Sequence, residues 1–329
     1  MTPLAATLEA FFKIRLTQQR RASSHTVNAY RDTFRLLLHF VHGRTGKAPS
    51  ELQMEDLDAA LVGDFLTYLE EVRGNSVRTR NSRLAAIHSF FRFASFRHPE
   101  HALLIQRVRA IPRKRFNRQI VTFLTEPEAE ALLAATPRDS WIGRRDHALL
   151  LLALQTGLRV TELTALTWKD VQLEGTPQVH CQGKGRKERQ TPLRSSTIGV
   201  LRAWRREMGG HPGEPVFPSM RGKPLTTDAV EALVLKYARA AELTCPSLAS
   251  KRVSPHVLRH TCAMRLLEGG VDIATIALWL GHELVATTQI YLHANLAIKE
   301  KALERTAPLH GSPGRYRPTD AVLAFLESL

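Results

Sequence analysis

Cysteine is scarce in this chain, and the three present cannot frame a fold. Cys181, Cys245 and Cys262 are odd in number, far apart, and form no CxxC pair. That excludes a disulfide framework, gives no sign of a structural zinc, and leaves buried free thiols as the expectation. Long apolar runs are missing too. The richest, Ala148 to Leu154, falls far short of a bilayer span. The opening residues, MTPLAATLEAFFKIRL, lack the basic start, apolar block and small-residue cleavage site of a secretory signal. A cytoplasmic protein with no membrane partner is expected. Acid is the third shortage: 31 Asp and Glu face 46 Lys and Arg, a formal net charge of +15. Such an excess points to a polyanion, because neutralising phosphates releases counterions and drives binding.

What is present suits two domains: 329 residues, 43% of them hydrophobic. The first part, 1–108, reads as all helix. Val27, Tyr30, Phe34, Leu37, Leu38 and Val41 recur at helical spacing behind the capping candidates Ser23, Ser24 and Thr26, and Gly43 and Gly46 should break that helix. Further helices fit Leu61 to Val72 and Ser76 to Ser95. On the last, Val77, Leu84, Ile87, Phe91 and Ala94 share a face, and Arg78, Arg80, Arg83 and Arg92 decorate the rest. The segment RVRAIPRKRFNRQIV, 107–121, is basic and aperiodic, and reads as a linker lying along DNA.

From Phe123 the pattern changes. Thr125, Pro127 and the acids Glu126 and Glu128 make a capped helix start. Asp146 to Gln155 is apolar nearly all round and predicts a buried helix stopping at Gly157. Residues 177–193 read as strand, glycine turn, strand. Helix resumes from Ser195 to Met208 and continues with breaks to about Leu303. Pro308 to Pro318 is irregular, and a short helix over Asp320 to Leu329 closes the chain.

Four segments carry chemistry. In TGLRVTEL, 156–163, Arg159 lies between apolar stretches, so its guanidinium needs an anion: Glu162 or a bound phosphate. In GKGRKER, 183–189, glycines flank Lys184 in the hairpin turn; the spacing is not that of a nucleotide-binding P-loop. In SPHVLRHT, 254–261, Ser254 and Pro255 start a helix that sets His256 and Arg259 on one face near its N-terminus, a favourable place for phosphate. His256 and His260 have metal-ligand spacing, but Val257 stands where the HExxH motif needs glutamate; His260 is read as structural. In LGHELVATTQIYLH, 280–293, Gly281 and His282 should open a helix or turn, and Tyr291 follows nine residues after His282.

Taken in order, an arginine, a hairpin lysine, a His-x-x-Arg, a Gly-His and a tyrosine resemble the tyrosine recombinase, or phage integrase, family, and within it the XerC/XerD type. SSHTVNAYRDTFRLLLHF and NSRLAAIHSFFRFA resemble the family's helical DNA-clamping domain, and FLTEPEAEALL the start of its catalytic domain. The resemblance implies a mainly α fold. A helical core-binding (SAM-like) domain spans 1–108, a basic linker 109–122, an α+β catalytic domain with a small antiparallel sheet 123–304, and a tail with a short helix 305–329. It implies that Arg159 and Arg259 bind the scissile phosphate, that Lys184 is the leaving-group acid, and that Tyr291 is the nucleophile. His256 would assist deprotonation of Tyr291, and His282 would donate to a phosphate oxygen. Further DNA contacts are expected from Arg78, Arg80, Arg83, Arg113, Lys114, Arg115, Arg186 and Lys187.

The implied activity is site-specific DNA cleavage and rejoining through a 3′-phosphotyrosine and a Holliday junction, without metal, nucleotide or other cofactor. Partners would be double-stranded DNA bearing recombination sites and a homo-tetramer on two such sites, at the nucleoid. The tail resembles transposon-associated members, which work with sister recombinases. Two alternatives stand beside it: a type IB topoisomerase-like enzyme and a catalytically inactive DNA-binding accessory protein.

Overall fold

The computed structural model describes residues 3–116, 121–182, 188–282 and 287–291. They fall in two units, Met1–Arg118 and Gln119–Leu329. In the first, α1 (Pro3–Ala10) runs into a π-helical segment, Phe11–Gln19. Helix α2 (Ser24–Thr45) starts where Ser23 Oγ accepts the Thr26 N–H, and ends at Gly46, left-handed with φ of 71°. Gly43 does not break α2: it sits inside the helix, and the left-handed turn at Gly46 sets the stop. Then follow α3 (Ala59–Glu71), capped by Asp58, α4 (Val77–Ala94), capped by Ser76, and α5 (Ala102–Arg109).

These helices bury an aromatic core. Phe90 meets Phe34 and Phe11 edge to face, at 5.2 and 5.6 Å between centroids. Leu37, Val41, Phe65, Leu84 and Ile87 fill in around them. Each such burial contributes about 1.5–3 kcal/mol. Val77, expected on the buried face of α4, is only half-buried; Phe90 belongs to that face instead. Residues 112–114 of the expected linker are tied down. Asn81 donates to the Lys114 carbonyl (2.8 Å) and accepts its N–H (3.1 Å), while Arg80 Nη1 donates to the Pro112 carbonyl (3.0 Å).

The second unit opens with α6 (Glu126–Ala134), held by the expected capping box of Thr125 and Glu128. Helix α7 (Trp141–Thr156) is buried along nearly its whole apolar stretch and packs against two later helices, α9 (Ser195–Met208) and α11 (Pro255–Glu268). It stops at Gly157, left-handed with φ of 63°, where a Cβ would lie 2.7 Å from Leu280 Cδ2. Short α8 (Val160–Ala165) follows. Strands β1 (Val171–Gln172), β2 (Gln178–Gln182) and β3 (Glu188–Pro192) form an antiparallel sheet in that order, with Cys181 opposite Arg189.

Helix α10 (Thr227–Ala241) packs against α6, α8 and α11, and α12 (Ile273–Leu280) follows α11. Ser254 caps α11 as expected, with Pro255 in its first turn. Gly281 is left-handed and closes α12, so of the helix or turn expected at Gly281–His282 the structure has the turn. Cys181 and Cys262 are buried; Cys245 is partly exposed. Among the described residues no helix is long and apolar enough to cross a membrane. The helical pattern expected beyond Tyr291, and the tail, lie outside the described residues.

Candidate active site

Three chain turns converge in the second unit. Gly157 turns the chain out of α7, so Arg159 arrives at the N-cap of α8. Its backbone N–H donates to Glu162 Oε2 (2.7 Å), and its Nη1 donates to Glu162 Oε1 (2.9 Å). Of the two anions the sequence allowed, the carboxylate is in place. Glu162 is buried and also takes two hydrogen bonds from Arg189 on β3, at 3.0 and 2.7 Å. Burial alone would raise its pKa; Arg189 and Arg159 outweigh that and hold it below the usual carboxylate range.

Arg259, one turn into α11, is 3% exposed. Its Nη1 donates to the Gly157 carbonyl and its Nη2 to the Leu280 carbonyl, both at 2.6 Å. Arg159 Nη2 donates to the next carbonyl, Gly281, at 3.0 Å. Both guanidiniums therefore rest on the carbonyl end of α12, where a helix presents partial negative charge. Gly281 is required there: a Cβ would sit 2.6 Å from Arg189 Nη1, and its φ is +64°. Among the described residues no carboxylate lies within 4.0 Å of Arg259. Burial, then repulsion from Arg159 and Arg189, pushes its pKa down to about 10.

Arg159, Arg259 and His256 line one cleft of about 360 Å³, with Val160, Thr161, Glu231, Ser254 and Pro255. His256 is exposed at the cleft, and its ring meets that of His260 edge to face at 4.3 Å. His282 hangs from the turn after α12. Its N–H donates to the Ala277 carbonyl, and its Nδ1 lies 2.7 Å from Thr288 Oγ1. Burial, then Arg259 and Arg159, drives its pKa to about 4.

Tyr291 is 1% exposed, and burial raises its pKa to about 12. Its Oη lies 2.9 Å from Nδ1 of His260. The residue touching the tyrosine oxygen is thus His260, which the sequence read as structural. The spacing of His260 from His256 was visible, but nothing local linked it to a tyrosine 31 residues on. Arg189 was missed as well, since its partner Glu162 is 27 residues away and the strand around it reads as ordinary charged hairpin. Lys184, Arg186 and Lys187 lie outside the described residues.

The cations assigned to DNA in the first unit divide. Arg78, Arg113 and Arg115 are exposed, and Lys114 is exposed but paired with Glu70 at 2.8 Å. Arg83 is half-buried, and burial followed by Arg73 lowers its pKa. Arg80 is 6% exposed, because it lies in register with Leu84, Ile87 and Phe91 on the core side of α4. In the same unit His98, Glu100 and His101 offer ligand atoms within 4.8 Å of one another. Both His98 nitrogens are already engaged, with Thr7 Oγ1 (2.6 Å) and Glu100 Oε1 (3.0 Å), so the trio ties the Pro99–His101 turn to α1.

Residues 122–297 match the Phage integrase family, and residues 9–98 match the phage integrase N-terminal SAM-like domain. The integrase/recombinase y4rC of Sinorhizobium fredii is 55% identical over 326 residues, covering 99% of this chain and 98% of that one. The tyrosine recombinase XerC of Xanthomonas campestris pv. campestris is 33% identical over 305 residues, covering 92% and 89%. This chain belongs to the phage integrase family. It is a tyrosine-type site-specific DNA recombinase. The fold agrees with that of the XerH site-specific recombinase bound to difH in a post-cleavage complex (TM-score 0.68, 23% identity, 87% and 81% covered). It also agrees with the Tn1549 transposon integrase bound to transposon right end DNA (TM-score 0.68, 17% identity, 90% and 98% covered).

Proposed function

We propose that the chain breaks and rejoins DNA at specific sites through a covalent bond between Tyr291 Oη and a 3′ phosphate. The observation that carries this is the shared cleft of Arg159, Arg259 and His256, with Tyr291 Oη bonded to the histidine that meets His256 edge to face. A scissile phosphate in that cleft would meet two planar donors already fixed by carbonyls and Glu162. Fixed donors stabilise the charge that gathers on nonbridging oxygens without reorganising during the reaction. Tyr291 Oη attacks phosphorus and the 5′ oxygen leaves, with Lys184 as its acid; His282 serves a phosphate oxygen. The reverse attack by a partner strand's 5′ hydroxyl rejoins the DNA, and repetition on the other strand pair resolves a Holliday junction.

Strand exchange between two sites calls for four protomers. Sister recombinases are further partners on the tail's resemblance to transposon-associated members, and a DNA substrate fits work in the cytoplasm, at the nucleoid. The domain bounds proposed are 1–108, 109–122, 123–304 and 305–329. The test is covalent capture. Incubated with fragmented genomic DNA from its host and quenched in detergent, the chain should retain DNA ends that map to discrete sites. Tyr291→Phe should retain none while binding the captured duplex as tightly as before. An adduct of unchanged yield in that variant would remove Tyr291 from the mechanism. Relaxation of supercoiled plasmid without such a site would favour the topoisomerase.

A further inference from the structure

We propose that His260, rather than the cleft histidine His256, takes the proton from Tyr291 during DNA cleavage and returns it during rejoining. This rests on Tyr291 being the nucleophile. Among the described residues His260 makes the hydrogen bond to Tyr291 Oη, at 2.9 Å from its Nδ1. His256 touches His260, with ring centroids 4.3 Å apart, and lines the cleft. The helix dictates this division. His256 and His260 are four residues apart on α11, hence on one face and one turn apart. The first stands at the exposed N-terminus, and the second is held deeper, against Tyr291.

The charges around His260 fit the role of an acceptor. Burial first, then repulsion from His256, Arg259 and His282, pushes its pKa to about 3. It is therefore neutral at physiological pH. With the ring proton on Nε2, Nδ1 is free to accept from the tyrosine hydroxyl. Before DNA binds, a proton moved onto His260 would set a second positive charge beside that of Arg259, so transfer is disfavoured. A phosphate in the cleft brings negative charge beside Arg259 and offsets that repulsion. The base becomes effective when the scissile phosphate is seated, which guards the tyrosine against reaction elsewhere. The step balances. The Oη–H proton passes to Nδ1, the Oη–P bond forms, the P–O5′ bond breaks, and the 5′ oxygen takes a proton from the leaving-group acid. Rejoining reverses each transfer.

The test uses the full chain and a nicked duplex of the captured site, in single turnover at saturating DNA. His260→Gln and His260→Ala should bind that duplex normally and form adduct slower by about 10²-fold or more, the usual contribution of a general base. Imidazole in the buffer should speed His260→Ala selectively, an effect that a purely structural loss would not show. A second duplex carries sulfur in place of the scissile 5′ oxygen, so its leaving group needs no proton. It should restore a Lys184→Ala variant and leave His260→Gln slow. Adduct formation by His260→Gln at the native rate or faster would overturn the proposal, as would its full rescue by the sulfur duplex. Loss of adduct in Tyr291→Phe, measured alongside, separates failure of this inference from failure of the tyrosine assignment.

Discussion

Two arginines of this protein are buried to nearly the same degree, one in each unit, and they are held in opposite ways. Arg80 is 6% exposed and Arg259 is 3% exposed. Arg80 has Glu70 beside it at 3.8 Å and places Nη1 on Asn81 and the Pro112 carbonyl, so its charge is answered within the unit. Among the described residues Arg259 Nη1 and Nη2 have only carbonyl partners, and two further guanidiniums stand near it, offset in part by Glu162. Burying a charge with no carboxylate in contact is costly, and a bound anion would offset that cost. The contrast separates an arginine that fastens a segment from the one proposed to hold a phosphate, although the sequence shows both as arginines on amphipathic helices.

The largest effect should therefore fall on Arg259. Arg259→Gln should lower adduct formation by about 100-fold or more, since one preorganised donor is removed from the developing charge. Both Arg259→Gln and Arg80→Gln strand carbonyls and should lose stability, by about 1–3 kcal/mol. Only the first should lose chemistry. Urea titrations paired with single-turnover cleavage would check this. A folded Arg80→Gln protein that binds DNA yet fails to cleave would erase the distinction.

Acid should sharpen the same comparison, because the cations that crowd Arg259 also act on imidazoles. His260 and His282 are lowered from 6.5 to about 3 and about 4. Unfolded, these rings bind protons near pH 6.5; folded, they resist until the pH is near 4 or below. The unfolded state thus holds more protons between those limits. Their contribution to stability is complete above about pH 6.5 and is lost as pH falls toward 4. The unfolding temperature should drop by several degrees between pH 7 and pH 5, and the drop should shrink in the His260→Gln, His282→Gln double variant. A double variant with the native slope would mean that other groups set it.

Much of this was readable before the structure. The polar caps and glycines announced the start of α6, the end of α7 and the start of α11, because a cap is a local bargain between one side chain and nearby N–H groups. Arg159, Arg259 and His256 were readable as a set, and they do share a cleft. Arg80 was legible in principle, since it stands four residues before Leu84 and seven before Ile87, on the core stripe of α4. The bonds of His260 to Tyr291 and of Arg189 to Glu162 were not, because they join elements 31 and 27 residues apart. The crowding of Gly281 by the Arg189 side chain, from another element, is likewise recorded by no local pattern.

The smallest effect concerns exposed cations, and it tests the first unit's half of the comparison. If Arg78, Arg113 and Arg115 meet DNA phosphates, each contact releases counterions. Removing one should weaken binding modestly and lower the slope of log affinity against log salt by about one. Lys114→Ala should do less than Arg113→Ala, since Glu70 already answers the Lys114 ammonium at 2.8 Å. Arg80→Gln, once corrected for any unfolded fraction, should leave the slope unchanged. Its guanidinium is spent on Asn81 and Pro112, and a charge answered inside the protein has no counterions to displace from DNA. A slope that fell as far in Arg80→Gln as in Arg78→Ala would show that Arg80 reaches the duplex, and that burial in the free protein is a poor guide to which arginines DNA recruits.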